Sequence, residues 1–240
     1  MRTIQIVFPV LNEERRLKKG IMKTVEYMEQ NFAGRYRLMI VDNGSEDGTA
    51  EIAGELTQIY DRVSYLRLAE KGVGLALRAG VRENTCDIVG YMDIDLSTSL
   101  DHLKEVDRAF HDPAVQIVNG SRLSRDSVVT GRKPLRNLTS HGFRLMMKLL
   151  FGMKIDDALC GFKFFRRETI ESLMPHCSDT PGWFYCAELL LRAERAGIVI
   201  REIPVTWQDD YDTTVHVGRL VRTYLAQMAR LYAEFHFYRR

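Results

Sequence analysis

No apolar stretch of this 240-residue chain reaches the ~18–20 consecutive residues that a bilayer-spanning helix requires, so the chain is not expected to cross a membrane, although it can lie on one. Strand-like residues begin at Ile4 with no basic segment before them, which argues against a signal peptide. The four cysteines, Cys86, Cys160, Cys177 and Cys186, form no CxxC pair and no regular framework. They read as reduced thiols in a cytosolic compartment rather than as a disulfide scaffold or a zinc site. A formal net charge of +2 provides no strong overall field, and nucleic acid is not expected as a partner. Internal repeats and low-complexity linkers are also missing. The charge is nevertheless uneven, since the stretch from Arg219 to Arg240 is basic.

With 45% hydrophobic and 28% charged residues, the chain is balanced for one sizeable core. "TIQIVFPV", "YRLMIVD", "RVSYLRL" and "DIVGYMD" have the continuous apolar, β-branched character of buried strands. Helical patterns follow them: Leu17, Ile21, Val25 and Met28 share a face after the first strand, and "GVGLALRAGVREN" follows the third. Alternation of this kind predicts an α/β fold, an open and mainly parallel twisted sheet with helices on both faces. "AVQIVNGSR" extends the sheet, and residues 123–134 read as a polar loop. Residues 135–153, "WFYCAELLLRAERAG" and the segment from Val215 onward read as helices, with "CGFKFFR" and "IVIREIPVTW" between them. The expected organisation is a single domain, 1–240, with residues 1–122 forming one half and 123–240 an elaboration ending in an amphipathic helix.

Ligands of open α/β sheets sit beyond the carboxyl ends of the strands. Here the first strand ends in Pro9 followed by Asn12, Glu13 and Glu14, the second in Asp42, and the fourth in Asp93 and Asp95. Period-2 alternation points the last two carboxylates to one side, where they repel each other. An Asp-x-Asp pair suits Mg²⁺ or Mn²⁺, which take oxygen ligands and share their shell with substrate phosphates. A solvated turn that caps the next helix would explain the same two residues. Lys71, Gly72 and Gly74 open a helix and could present N–H groups to an anion, or could mark close packing of that helix on the sheet. They complete neither the dinucleotide fingerprint nor the Walker pattern. His176, Cys177 and Cys186 lack metal-ligand spacing, and Ser121 and Ser140 form no nucleophile elbow. Trp183 and Phe184 are either core or a platform for sugar or lipid.

"FPVLNEE", "VDNGSEDGT", "KGVGLALRAG", "MDIDLS", "NGSR" and "CGFKFF" occur in this order. From about Thr3 to Trp207 the chain resembles the family 2 glycosyltransferases of the GT-A fold, most of all the polyprenyl-phosphate sugar synthases of the dolichyl-phosphate mannose or β-glucose type. The resemblance implies that Pro9, Leu11, Asn12, Glu13, Lys71 and Gly72 line the pocket of a nucleoside-diphosphate sugar. It also implies that Asp42 reads the base and that Asp93 and Asp95 hold the metal and the diphosphate. A carboxylate at Asp42 would accept an N–H from uracil or guanine alike, so UDP- and GDP-sugars both remain open.

For the acceptor, the resemblance implies Arg122, Arg136 and Ser140 as the cradle of a lipid phosphate, a chemistry that two guanidiniums and a hydroxyl suit; a solvated basic surface is the plain alternative. A phosphate acceptor needs no general base, and no Glu-Asp pair lies between Cys160 and Trp183. Ser97 occupies a position that is often Gln, and "TTVHVGRL" replaces the usual Ser-Lys-Leu end, leaving Arg219 as a candidate diphosphate contact. The expected activity is inverting, metal-dependent transfer with Asp93, Asp95, Arg122 and Arg136 as the catalytic set. Transfer to a glycan or other hydroxyl acceptor, or a silent nucleotide-sugar-binding subunit, are the alternatives. The basic and apolar residues of 135–153 and 216–240 predict a peripheral location on the cytoplasmic face of a membrane. A homo-oligomer or a membrane-anchored partner is compatible with the same helices.

Overall fold

The computed structural model describes residues 2–209 and 217–237, with the side chains of 217–220 excepted. The side chains of the candidate contact Arg219 and of Leu220, the expected helix start at Val215 and the terminal Arg239 and Arg240 lie outside the described residues.

Strands β1 (Ile4–Val10), β2 (Tyr36–Asp42), β3 (Val63–Arg67) and β4 (Ile88–Met92) alternate with helices α1 (Leu17–Phe32), α2 (Thr49–Ile59) and α3 (Val73–Arg82). They are followed by α4 (His102–Ala109), β5 (Ile117–Ser121), β6 (Val128–Thr130), α5 (Pro134–Phe151), β7 (Phe162–Arg166) and α6 (Arg167–Leu173). The chain then continues through α7 (Phe184–Arg195), β8 (Ile200–Pro204), β9 (Thr206–Gln208) and α8 (Val217–Phe237). Seven strands form one sheet in the order β3-β2-β1-β4-β7-β5-β8, parallel except for β7, which runs antiparallel to both β4 and β5. A small parallel pair, β6 with β9, lies apart from it. The α/β, mainly parallel expectation is met. The antiparallel β7 and the break of "IVIREIPVTW" into β8 and β9 at Val205 are additions to it.

β1 shows why its strand reads as unbroken apolar sequence. Ile4, Ile6, Phe8 and Val10 join the core on one face with Leu17, Ile21, Val25 and Met28 of α1, while Val7 joins the core on the other face with Leu77 and Val81 of α3. Both faces are covered, so both sets of alternating residues must be apolar. Gln5 is the exception, and its buried amide is satisfied by donating to the Gly80 carbonyl at 2.8 Å. The second face also holds Phe143 and Met147 of α5, Leu189 and Leu190 of α7, and Tyr224, Met228 and Leu231 of α8. α8 gives this cluster one stripe of buried residues, whereas α7 is buried on nearly every side.

The order of strands turns at β1, which has β2 on one side and β4 on the other. A crevice opens at such a switch point, beyond the strands' carboxyl ends. Both Pro9 and Asp93 are found there.

Candidate active site

β4 ends at Met92, so Asp93 and Asp95 sit in a turn rather than on the strand itself. The Leu96 amide donates to the Asp93 carbonyl, Leu96 takes a left-handed φ of 55°, and the Ser97 amide donates to Asp95 Oδ1 at 2.9 Å. The turn aims both carboxylates into one cleft of about 410 Å³, which Pro9, Leu11, Glu13, Lys71 and Gly72 also line. The structure therefore gathers most of the residues expected around a nucleotide sugar.

Two of the expected residues are engaged within the protein. Asp42 is fully buried and lines neither cavity described here. Its Oδ1 accepts the Ser45 amide at 2.8 Å and its Oδ2 the Tyr65 hydroxyl at 2.9 Å, so it anchors the turn after β2. Asn12, at a φ of 56°, accepts the Glu46 amide and donates its own to Ser45 Oγ, clasping the same turn. Asn43, next to Asp42, lines the cleft instead. Nor is the start of α3 an open anion site, because the amides of Gly74 and Leu75 both donate to the Pro181 carbonyl. A Cβ on Gly72 would stand 2.7 Å from the Pro181 carbonyl carbon, so close packing requires glycine there, against a loop rather than the sheet. Arg78 donates to the carbonyls of Ser178, Asp179 and Thr180 and lies over the Tyr185 ring, which fixes the loop that carries Trp183.

A second cavity of about 410 Å³ adjoins the first, and Asp93, Arg136, Trp183 and Trp207 line both. Four cationic side chains line it, Arg122, Arg132, Lys133 and Arg136, together with the apolar Phe143 and Met146 from α5, Val221 and Tyr224 from α8, and Leu159. Arg122 and Arg136 thus come together as expected, but each is already paired. Arg122 donates from Nε and Nη2 to both oxygens of Asp157, at 2.7 and 2.9 Å, and lies 4.9 Å from the Trp207 ring centre. Arg136 donates to Asp209 Oδ2 at 2.9 Å, while Trp207 Nε1 donates to Oδ1 of the same acid. Ser140 accepts a hydrogen bond from Arg132 Nη2 at 2.6 Å. Sequence reasoning missed Arg132, Asp157, Trp207 and Asp209. A buried arginine does demand an acid, but the 35 residues between Arg122 and Asp157 hide that acid.

The electrostatics follow from burial. The Asp93 carboxyl is pushed up to about 7, by desolvation first and by the Asp95 charge second, with Arg122 and Lys163 opposing. Burial would raise Asp157 as well, but the charge and hydrogen bonds of Arg122 outweigh it and hold this carboxyl at about 2. Lys163, the second residue of β7 and fully buried, donates to the Cys160 carbonyl, and desolvation lowers its pKa. Two repelling carboxylates, of which Asp93 accepts no hydrogen bond among the described residues, fit a divalent cation that shares its shell with a diphosphate.

Residues 5–174 match the family model described as "Glycosyl transferase family 2". The chain belongs to this family. It is 32% identical over 218 residues to "Glycosyltransferase AglD" of Haloferax volcanii, an alignment that covers 90% of this chain but only 35% of that protein. It is 26% identical over 225 residues to the dolichyl-phosphate beta-glucosyltransferase of Saccharomyces cerevisiae, covering 86% of this chain and 67% of the relative. Among solved structures, glucosyl-3-phosphoglycerate synthase of Mycobacterium tuberculosis, in complex with Mn²⁺, UDP and glucosyl-3-phosphoglycerate, superposes with a TM-score of 0.69 at 19% identity, covering 95% of this chain and 79% of that one. The neighbour shares the fold.

Proposed function

We propose that this glycosyltransferase moves a sugar from a nucleoside-diphosphate sugar to a polyprenyl phosphate of the dolichyl type by one inverting displacement, with Mg²⁺ or Mn²⁺ held by Asp93 and Asp95. The observation that carries this reading is the second cavity, which joins four cationic side chains to apolar side chains of α5 and α8. A lipid phosphate combines the same two characters. The dolichyl-phosphate relatives support the assignment.

The bound cation would neutralise charge gathering on the departing diphosphate. The remaining work falls to the chain. Pro9, Leu11, Glu13 and Asn43 hold the nucleoside side of the donor, and Lys71 is exposed beside it. Trp183 and Trp207 stand at the junction of the cavities, where the sugar must sit. Arg136 faces both cavities and orients charge between them. A phosphate acceptor is anionic at neutral pH and attacks without a base. That suits a cavity in which Asp93 is the one acid among the described lining residues, with Asp157 engaged behind it by Arg122.

A hydroxyl acceptor has one observation in its favour: an Asp93 carboxyl pushed up to about 7 lies where a general base operates. Turnover of UDP-glucose and of GDP-mannose with farnesyl phosphate, against farnesol, in Mn²⁺ or EDTA decides between the two. Transfer to farnesyl phosphate with inverted anomeric configuration supports the proposal, and transfer to farnesol alone overturns it. UDP-glucose comes first, being the nucleotide of the structural neighbour and the sugar of the yeast relative.

The acceptor's chain places the enzyme at a bilayer surface, on the cytoplasmic face. No helix among the described residues is long and apolar enough to cross a membrane. Leu135, Leu138, Leu145 and Leu149 of α5 are each more than half exposed, and Val221 and Leu225 of α8 are exposed as well. Phe235 does not join them, because it turns inward against Phe151 and beneath Arg192 and Arg195.

A further inference from the structure

We infer that Arg132 is the residue that binds the acceptor's phosphate group, and that Arg122 and Arg136 shape the cavity around it. The inference rests on the reading of the second cavity as the acceptor site, but it concerns which cation is free to take an anion there.

Four cationic side chains line that cavity. The charge of Arg122 is met on two nitrogens by Asp157, and that of Arg136 by Asp209. Lys133 is exposed and hydrated. Among the described residues, Arg132 alone of the four is withdrawn from water without an acid. Its Nη2 donates to a neutral hydroxyl, Ser140 Oγ, at 2.6 Å, and its Nε and Nη1 are buried with no hydrogen-bond partner among the described residues. Buried polar groups are nearly always paired, and a buried charge most of all, so an orphaned guanidinium marks a place where a ligand completes the structure. Its neighbours sharpen the point. Burial and the charges of Arg122 and Arg136 disfavour the cation, and Asp157 and Asp209, already engaged, offset them only in part. A phosphate brings the missing negative charge together with several acceptor oxygens.

The position fits the chemistry. Arg132 lies in the loop between β6 and α5, two residues before the helix that supplies the apolar wall. Its bond to Ser140, two turns into that helix, holds the guanidinium over the cavity. Ser140 thereby acts through Arg132, orienting it, rather than as an independent ligand. A phosphate seated there would have its ester chain beside Phe143 and Met146 and its free oxygens toward Asp93, where the two cavities meet.

The shared chemistry is a phosphate monoester, which a lipid phosphate and a small soluble phosphate both supply. The test therefore measures binding of farnesyl phosphate, 3-phosphoglycerate and farnesol by calorimetry, together with acceptor and donor KM, for the wild type and for Arg132→Gln and Arg132→Lys. Loss of a charge-assisted contact predicts about a 10- to 100-fold weaker phosphate acceptor in Arg132→Gln, with farnesol and UDP unaffected and partial recovery in Arg132→Lys. If the wild type binds only 3-phosphoglycerate and the loss is still seen, the lipid reading falls while the role of Arg132 stands. Equal binding of farnesyl phosphate by wild type and Arg132→Gln overturns the role of Arg132 and leaves the lipid reading in place. A wild type that binds neither phosphate overturns both. Should Arg132→Gln fail to fold, Arg132→Lys decides: it retains the charge, and an unchanged acceptor-to-donor KM ratio in that variant, where the shorter side chain loses the Ser140 bond, counts against a guanidinium contact.

Discussion

Gly161 faces the carboxylate of Asp93 so closely that a Cβ at residue 161 would stand 2.6 Å from Asp93 Cγ. The glycine of "CGFKFF" therefore packs on the turn that carries Asp93, although it lies 68 positions further along the chain. Any side chain there displaces the carboxylate or pushes β7 away from β4. Gly161→Ala is expected to lower kcat about 100-fold, the order of loss that an ångström-scale misplacement produces. Overpacking should also cost about 1–3 kcal/mol of stability. Turnover and thermal unfolding of the purified variant check both, and a folded variant with wild-type kcat would show that Asp93 has room to move without consequence.

On the proposed function, Asp95→Ala removes a carboxylate from the cation site while leaving the core strand β4 intact. The expectation is a loss of about 100-fold or more in turnover, comparable to removing one preorganised group that meets developing charge. The melting temperature without ligand should be nearly unchanged. EDTA should abolish turnover of the wild type, and added Mn²⁺ should restore it. Chelation without effect on the rate would exclude the metal-assisted mechanism and make the aspartates hydrogen-bonding groups only.

Much of this arrangement is legible in the chain itself. β1 and β2 are apolar on both faces, so their burial in a doubly covered sheet can be read directly. Asp93 and Asp95 follow a buried strand, so their place at its carboxyl end can be read too. What escapes is whatever depends on a partner distant in sequence. The "FKFFR" pattern is strand-like, but nothing in it tells that β7 inserts antiparallel between β4 and β5. α4 is hard to see because His102, Lys104, Glu105, Asp107 and Arg108 crowd the few apolar residues, Leu103, Val106 and Ala109, that bury against the sheet. Asp42 and Asn12 illustrate a different limit. Both stand at strand ends where a ligand is expected, and both spend their side chains on the turn after β2. Arginines look alike in a sequence. Only the acids behind Arg122 and Arg136 distinguish them from Arg132.

The Arg122–Asp157 pair gives a stability prediction whose sign follows from its pKa. Asp157 falls from 3.8 to about 2 in the folded state, so its contribution is fully present above pH 4 and is lost as the pH drops from about 4 to 2. The amount is on the order of 2 kcal/mol. Asp157→Asn leaves the Arg122 guanidinium buried without its counter-charge and should cost about 3–5 kcal/mol at pH 7. The gap in melting temperature between wild type and variant should therefore be wide at neutral pH and narrow below pH 4. Parallel curves from pH 7 to pH 2 would mean that the pair carries no net charge coupling. The same pairing makes Arg122→Ala a poor probe of acceptor binding, because it strands the buried Asp157. Arg136→Ala likewise leaves a buried acid, Asp209, without its guanidinium, although Trp207 Nε1 still donates to it.

The last prediction concerns the bilayer. On α5, Leu135, Leu138, Leu145 and Leu149 recur at three, seven and four residues and so form one stripe, opposite the buried Phe143 and Met147. Val221 and Leu225 expose a shorter stripe on α8, and side chains of both helices line the second cavity. The basic residues of α5 contribute less than their number suggests, because Arg144 and Lys148 both pair with Asp156, and Arg230 on α8 pairs with Glu188 and Glu234. Membrane contact should then depend on apolar burial more than on charge. At about 1.5–3 kcal/mol for a fully buried leucine, replacing Leu138 and Leu149 by Gln should weaken vesicle binding by tenfold or more. Raising the salt should weaken it only in part, through Lys133 and Arg222. Both variants should melt like the wild type, since neither side chain touches the core. Co-sedimentation with vesicles containing anionic lipid measures the effect. If the full chain fails to bind at low salt, the exposed leucines are not a membrane surface; if binding is lost on salt addition alone while the leucine variants bind normally, the contact is electrostatic and must lie elsewhere on the molecule.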